Sequence, residues 1–314
     1  MEEKYAQEFN AIVEKAKAAG KPMRVALAGA DCENILQGLF DAQADGFAEP
    51  ILIGNYKKIQ AILEKLGLAD RNFDIQPVSN DTNAVQYAIE MINAGGADAL
   101  LRGNTQTRDF LLPVLNKTNH LLQENSLLTH VVVLKIPQYE RLLAVSDVTL
   151  LISPSPEARK HVIRNMTKAL QIFGIEKPNI ALLSMVDKPS FHIRESVEAQ
   201  TIVREHAEKP IADCNLVGPI AYDLIVSKEA ARLKNFDCDL CGEFDGIVVP
   251  NLMTGNLLVK VLERNAGATG AGVLMGAKVP IAITSRSDSK EEAYLSLAAC
   301  AAMLRSDAGE RFFS

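Results

Sequence analysis

At 314 residues the chain is long for a single hydrophobic core, so two domains are expected. Its 48% hydrophobic and 23% charged content is that of a globular protein, and a net charge of -6 argues against a dedicated nucleic-acid binder, which carries basic excess. No stretch approaches the roughly 20 apolar residues of a membrane span, the acidic first residues lack an apolar signal core, and five cysteines, odd in number and mostly in apolar segments, fit a reduced, cytoplasmic protein.

Residues 2–19 read as an amphipathic helix, with Phe9, Ile12, Val13 and Ala16 at helical spacing and Gly20-Lys21-Pro22 as its stop. Short apolar strands follow at 24–28, 49–54, 74–78 and 99–103, separated by helices at 34–44, 56–66 and 84–94. The second half repeats the style. Strands are expected at 148–152, 179–184, 212–216, 246–249 and 280–284, and helices at 157–173, 193–207 and 290–303. This alternation is the signature of a parallel α/β sheet. No Gly/Ser linker marks a boundary, but Pro137 interrupts the chain near 135–140. A first domain of 1–138 plus 287–314, with the last helix returning to it, and a second of 139–286 are expected.

The strand at 280–284 runs straight into Ser285-Arg286. Ligands bind at the carboxyl ends of parallel strands, and a hydroxyl and a guanidinium delivered there together suit an anion, a phosphate first of all. Ser289 with Glu292 three residues later also spells a capping box, and Asp288 caps equally well. The run Arg102-Gly103-Asn104-Thr105-Gln106-Thr107-Arg108 likewise follows a strand and precedes a helix. Its hydroxyls, turn backbone and arginines suit phosphate, and an N-capped helix with exposed arginines is the competing reading. After the strand at 246–249, Pro250 ends the ladder, residues 251–255 turn the chain, and a helix resumes with Asn256 as its N-cap and Lys260 one turn on. A plain strand–turn–helix with a solvated lysine reads as well.

Other motifs point elsewhere. Gly267-Ala268-Thr269-Gly270-Ala271-Gly272 has the wrong spacing for the dinucleotide fingerprint and opens no helix; a flexible loop allowing close backbone approach is expected. Cys238-Asp239-Leu240-Cys241 is half a zinc site without a second pair, and it does not open a helix as a thioredoxin-like redox motif would. His120, His130, His161, His192 and His206 are scattered. The nucleophile elbow and the P-loop are absent.

Together these segments resemble the phosphate acetyltransferase and phosphate butyryltransferase family over nearly the whole chain. The resemblance is carried by Pro50-Ile51-Leu52-Ile53-Gly54, by residues 97–103 with Thr105 and Thr107, by Ala181-Leu182-Leu183-Ser184, by Gly218-Pro219 with Asp223, by Pro250-Asn251 with Gly255, Asn256 and Lys260, and by Ser285-Arg286. The form of residues 276–289 looks more like the butyryl branch. The resemblance implies an α/β protein of two domains with the isocitrate/isopropylmalate dehydrogenase-like fold: parallel-rich sheets, helices on both faces, and the active site in the interdomain cleft. It implies reversible transfer of a short acyl group between coenzyme A and orthophosphate. It also implies no metal and no permanently bound cofactor, with coenzyme A and acyl-CoA as substrates, small-molecule partners only, neither nucleic acid nor membrane, and a homo-oligomer.

Ser285 and Arg286 fall on the family's Ser-Arg motif, which handles the acyl phosphate. The acetyl branch places its proposed base seven residues beyond that serine; here the position is Glu292, and Asp288 is nearer, so both are candidates. Arg102, Thr105, Thr107, Gly255, Asn256 and Lys260 are the candidate phosphate ligands. A phosphate acetyltransferase is the alternative. A metal- and NAD-dependent dehydrogenase of the same fold would need a cluster of metal-binding aspartates that the sequence does not offer, and the intact Ser-Arg and carboxylate set speaks against a non-catalytic binder of coenzyme A or phosphate.

Overall fold

A computed structural model describes residues 6–18 and 20–305, and the chain forms two compact units, Met1–Ser126 with Ala271–Ser314, and Leu127–Gly270. In the first unit α1 (Asn10–Lys17) precedes β1 (Met23–Ala28). The rest of the expected 2–19 helix is a 3-10 turn at Gln7–Phe9, with residues 1–5 and 19 outside the described residues. The chain then alternates through α2 (Glu33–Ala44), β2 (Ala48–Gly54), α3 (Tyr56–Lys65), β3 (Asp74–Pro77), α4 (Asp81–Asn93), β4 (Ala99–Arg102) and α5 (Thr107–Leu115). Asn55 and Asn80 cap α3 and α4 by accepting the backbone N–H of Lys58 and Asn83. Strand β4 is buried at every residue, as expected of a parallel strand covered on both faces.

The second unit begins with β5 (Thr129–Lys135) and β6 (Leu142–Ser146), an antiparallel pair that the pattern of alternating strands and helices did not reveal. It continues through α6 (Pro156–Ile172), β7 (Asn179–Leu183), α7 (Arg194–Glu208), β8 (Asn215–Ile220), α8 (Tyr222–Val226), α9 (Lys228–Lys234), β9 (Gly246–Val248) and α10 (Leu252–Asn265). Its strands run in the order β5-β6-β9-β7-β8, all parallel after the first pair. Leu134, Leu143, Val145, Ile220, Phe244 and Ile247 sit in its core.

The chain then returns to the first unit through β10 (Thr269–Met275), β11 (Ile281–Ala282) and α11 (Lys290–Arg305). The first unit's strands run β3-β2-β1-β4-β11-β10, with β11 parallel to β4 and antiparallel to β10. Residues 293–303 of α11 are all buried, so this helix is apolar around its circumference. It packs on α2, where a Cβ at Gly38 would sit 2.5 Å from the Lys290 carbonyl oxygen.

Four sequence expectations need correction. Residues 148–152 form no strand: Asp147 Oδ1 accepts the backbone N–H groups of Thr149, Leu150 and Leu151 at 2.6–3.0 Å, which removes them from any ladder. The strand expected at 212–216 is β8, three residues later, where Asn215 pairs with Asn179. The glycine-rich run at 267–272 mostly enters β10 instead of forming a loop; Gly270 is needed there because a Cβ would meet the Val133 carbonyl oxygen at 2.3 Å. The helix expected from Asn256 starts one turn earlier at Leu252, capped by Asn251, whose Oδ1 accepts from the Thr254 N–H at 2.9 Å. The units divide at 126/127 and 270/271, where the sequence pattern suggested 138/139 and 286/287.

Candidate active site

Three carboxyl ends meet in the first unit, those of β1, β4 and β11. Their loops are in close contact. The Asn104 N–H donates to the Gly29 carbonyl at 2.8 Å, and a Cβ at Gly103 would lie 2.1 Å from the same oxygen, so no other residue fits there without displacing backbone. Thr284, the last residue before Ser285, donates its hydroxyl to the Arg102 carbonyl at 2.7 Å. These bonds tie the 102–107 loop to the 284–289 loop and explain why Arg102 and Ser285-Arg286, distant in sequence, share one edge.

Arg102 is 7% exposed. Its guanidinium donates to the Thr105 carbonyl at 2.7 Å, the Thr284 carbonyl at 3.2 Å and Thr107 Oγ1 at 3.0 Å. All three acceptors are neutral. Arg286 is exposed and reaches Gln106 Oε1 at 3.5 Å. Among the described residues neither guanidinium has a carboxylate within ion-pair distance. Burial, and after it the charge of Arg286, pulls the Arg102 pKa below the ordinary arginine value, with Asp288 opposing. Two cations thus face one short loop without a direct counterion, an arrangement that an added anion stabilises. Thr105 is fully buried, and its Oγ1 has no hydrogen-bond partner among the described residues, a cost that a native structure carries for a reason.

The 285–292 segment is ordered by its own side chains. The Ser285 N–H donates to Asp288 Oδ2 at 2.6 Å, the Asp288 N–H returns to the Ser285 carbonyl at 3.0 Å, and Ser285 Oγ lies 3.0 Å from Ser287 Oγ. Ser289 and Glu292 form the capping box that their spacing predicts. Glu292 Oε2 accepts from the Ser289 N–H at 2.7 Å and from its hydroxyl at 2.9 Å, and the Glu292 N–H donates to Ser289 Oγ at 3.2 Å. Glu292 is 8% exposed, and its Oε1 makes no hydrogen bond among the described residues. Asp288 differs: Oδ2 holds the Ser285 N–H and Oδ1 is buried.

The structure therefore gathers Arg102, Thr105, Thr107, Ser285, Arg286, Asp288 and Glu292 at one edge of one sheet. Gly255, Asn256 and Lys260 belong to the second unit, on α10. Gly255 packs beneath Asp147, where a Cβ would meet the carbonyl oxygen at 2.5 Å; Asn256 donates to the Val148 carbonyl at 3.3 Å; Lys260 pairs with Glu263 at 2.9 Å. Sequence reasoning missed Gln106 as a partner of Arg286 and Thr284 as the latch between loops. Both lay inside segments already singled out, but their roles depend on the pairing of β4 with β11. No described helix is long and apolar enough to cross a membrane.

Known proteins share this architecture. The family model described as phosphate acetyl/butaryl transferase matches residues 73–302. A phosphate butyryltransferase of Clostridium acetobutylicum is 31% identical over 93% of this chain and 97% of its own length. The crystal structure of a branched-chain phosphotransacylase from Enterococcus faecalis V583 matches with a TM-score of 0.75 at 25% identity, over 90% of this chain and 99% of that one. A 4-hydroxythreonine-4-phosphate dehydrogenase from Burkholderia phymatum shares the fold with a TM-score of 0.52 at 16% identity, over 90% and 98% of the two chains. The fold is the isocitrate dehydrogenase-like α/β fold. On the match across residues 73–302 and on the near full-length likeness to a butyryltransferase, this chain belongs to the phosphate acetyl/butaryl transferase family.

Proposed function

We propose that this protein transfers a short acyl group, butyryl or close to it, reversibly between coenzyme A and orthophosphate. The observation that carries the reading is the pair of guanidiniums, Arg102 and Arg286, facing the 104–107 loop with no carboxylate in ion-pair distance, beside the Ser285 hydroxyl. That combination suits a phosphate whose other substituent is an acyl carbonyl. Arg286 takes the phosphate in a charge-assisted, two-pronged contact. Arg102, held by its three neutral acceptors, supplies fixed positive charge from below, and Thr107 adds a hydroxyl. Phosphate recognition is drawn from this unit; Asn256 and Lys260 are engaged by Val148 and Glu263 within the other.

In the direction of acyl-CoA synthesis the coenzyme A thiol must lose its proton, because the thiolate is the nucleophile. Glu292 is the better placed base. The capping box fixes its carboxylate through Oε2 and leaves Oε1 uncommitted, whereas Asp288 spends Oδ2 on the Ser285 N–H and has Oδ1 buried. The thiolate attacks the acyl-phosphate carbonyl. Ser285 donates to the oxygen as it gains charge, a contact worth about 2.7–4 kcal/mol in comparable sites. The tetrahedral intermediate collapses and phosphate leaves onto Arg286. In reverse, phosphate attacks the thioester and Glu292 returns the proton to the departing thiolate.

Purified protein is mixed with phosphate and acetyl-, propionyl-, butyryl- or branched acyl-CoA, and thiol release is followed. Phosphate-dependent release with the highest kcat/KM for butyryl-CoA or a branched four- or five-carbon homologue is expected. A clear preference for acetyl-CoA establishes the acetyl alternative, and no phosphate-dependent release with any of them removes the proposal. One methylene shifts discrimination by about 1–3 kcal/mol, so the series resolves neighbours.

A further inference from the structure

Cys238 and Cys241 take no part in the chemistry above, yet the fold brings them together. They close a turn between α9 and β9 in which the Cys241 N–H donates to the Cys238 carbonyl at 3.2 Å. A turn of this kind holds its first and fourth Cα atoms within about 7 Å, and a disulfide needs roughly 4.4–6.8 Å. The turn is anchored on both sides. The Gly242 N–H donates to the Ile225 carbonyl at 3.0 Å, and Lys228 forms an ion pair with Glu243. The two thiols differ in access: Cys238 is half-buried, while Cys241 lies in the core of the second unit with Leu224, Ile225 and Phe244.

We propose that Cys238 and Cys241 are a thiol–disulfide pair that is oxidised by small-molecule disulfides. The more accessible Cys238 thiolate attacks one sulfur of a disulfide R–S–S–R, forming a Cys238–S–S–R mixed disulfide and expelling R–S⁻. Cys241 then releases its proton to solvent and attacks the Cys238 sulfur, and a second R–S⁻ leaves. The protein loses two electrons and two protons, and the small disulfide becomes two thiols. The order of attack follows from burial. Burial first, and then the Cys238 sulfur beside it, holds the Cys241 thiol up at about 11, so Cys241 is the poorer first nucleophile. Once Cys238 is in the mixed disulfide its negative charge is gone, and that part of the elevation goes with it. The turn enters the amino end of β9, whereas Asn251 and α10 follow its carboxyl end, so the site stands apart from the acyl-transfer proposal.

The test incubates the native protein with oxidised glutathione, alkylates remaining thiols with iodoacetamide, and maps peptides by mass spectrometry. The expected result is loss of two titratable thiols and a linked Cys238–Cys241 peptide as the main product. Cys241→Ser should stop at a glutathione adduct on Cys238, and Cys238→Ser should leave Cys241 unmodified. Full alkylation of both cysteines in oxidised native protein overturns the proposal. So does a native protein that stops at the Cys238 adduct, or a Cys238→Ser variant whose Cys241 reacts as fast as native Cys238. The native-protein map decides by itself if either variant fails to fold.

Discussion

The two units end their parallel strands in opposite ways. At the carboxyl edge of the first, two guanidiniums rest on neutral acceptors and a buried threonine hydroxyl stays unsatisfied. At the corresponding edge of the second, where Ser146 Oγ is likewise buried without a partner among the described residues, the charged and capping groups that shape the loops are engaged. Asp147 accepts the N–H groups of His130, Thr149, Leu150 and Leu151, Asn251 caps α10, and Lys260 has Glu263. The side chains exposed in the loops beyond β6 and β7 and at the start of α10 include large apolar ones, Ile152, Met185, Phe191 and Met253. Topology alone marks both edges as places where ligands bind. What separates them is how charge is paired: among the described residues the first holds two guanidiniums with no carboxylate in ion-pair distance, whereas at the second Asp147 is spent on backbone N–H groups and Lys260 on Glu263.

The sharpest way to break this contrast is to remove the spare charge. Arg286→Ala should lower kcat/KM for phosphate by roughly 10²–10³-fold, the range seen when one transition-state contact is lost. Because Arg286 is exposed and its hydrogen bond to Gln106 is a long one, the melting temperature should barely move. Steady-state kinetics with a melting curve on the same preparation checks both halves. Near-native kinetics, or a loss of activity that merely follows unfolding, would erase the distinction between the two edges.

A somewhat smaller effect is expected at the base. Glu292→Gln should cut turnover by about 10²-fold, the lower end of what a positioned general base contributes, and remove the acidic limb from the pH–rate profile. The glutamine retains a side-chain acceptor for the Ser289 donors, so stability should fall only slightly. Asp288→Asn should act through geometry: the loop loosens and KM for phosphate rises while the pH profile keeps its shape. If the profile changes in Asp288→Asn and not in Glu292→Gln, the roles are reversed.

Much of the first unit was legible in the sequence because its signals are local. Apolar runs of four to six residues alternate with 3.6-residue periodicity, and the spacing of Ser289 and Glu292 is enough to mark the start of α11. The second unit hid its entry. β5 and β6 are neighbours in an antiparallel pair, so the rhythm of strand, helix, strand fails there, and the apolar run at 148–152 drew the strand to the wrong place. What displaced it is one carboxylate, Asp147, and its grip on the following backbone cannot be read from periodicity. At the site, the residue types were readable but their states were not. That Arg102 is buried on neutral acceptors, or that Glu292 keeps one oxygen uncommitted, follows from the pairing of β4 with β11 and from loop contacts between residues about 180 positions apart.

The smallest expected effect probes how the second edge is closed. The sequence pointed to Asn256 as the cap of α10, and Asn251 takes that role instead: its Oδ1 accepts from both the N–H and the hydroxyl of Thr254, at 2.9 and 3.0 Å. Asn251→Ala should therefore cost about 1 kcal/mol of unfolding free energy. Asn256→Ala, which loses only a 3.3 Å bond to the Val148 carbonyl from an exposed position inside the helix and gains a better helix former, should change stability by roughly half a kcal/mol or less. Neither should alter KM for phosphate if recognition of that anion is confined to the first unit. Urea unfolding of the two variants, with phosphate kinetics on each, reads both quantities. A rise in KM for Asn256→Ala without loss of stability would mean that α10 supplies part of the anion's binding after all, and that the second edge is less closed than its hydrogen bonds make it look.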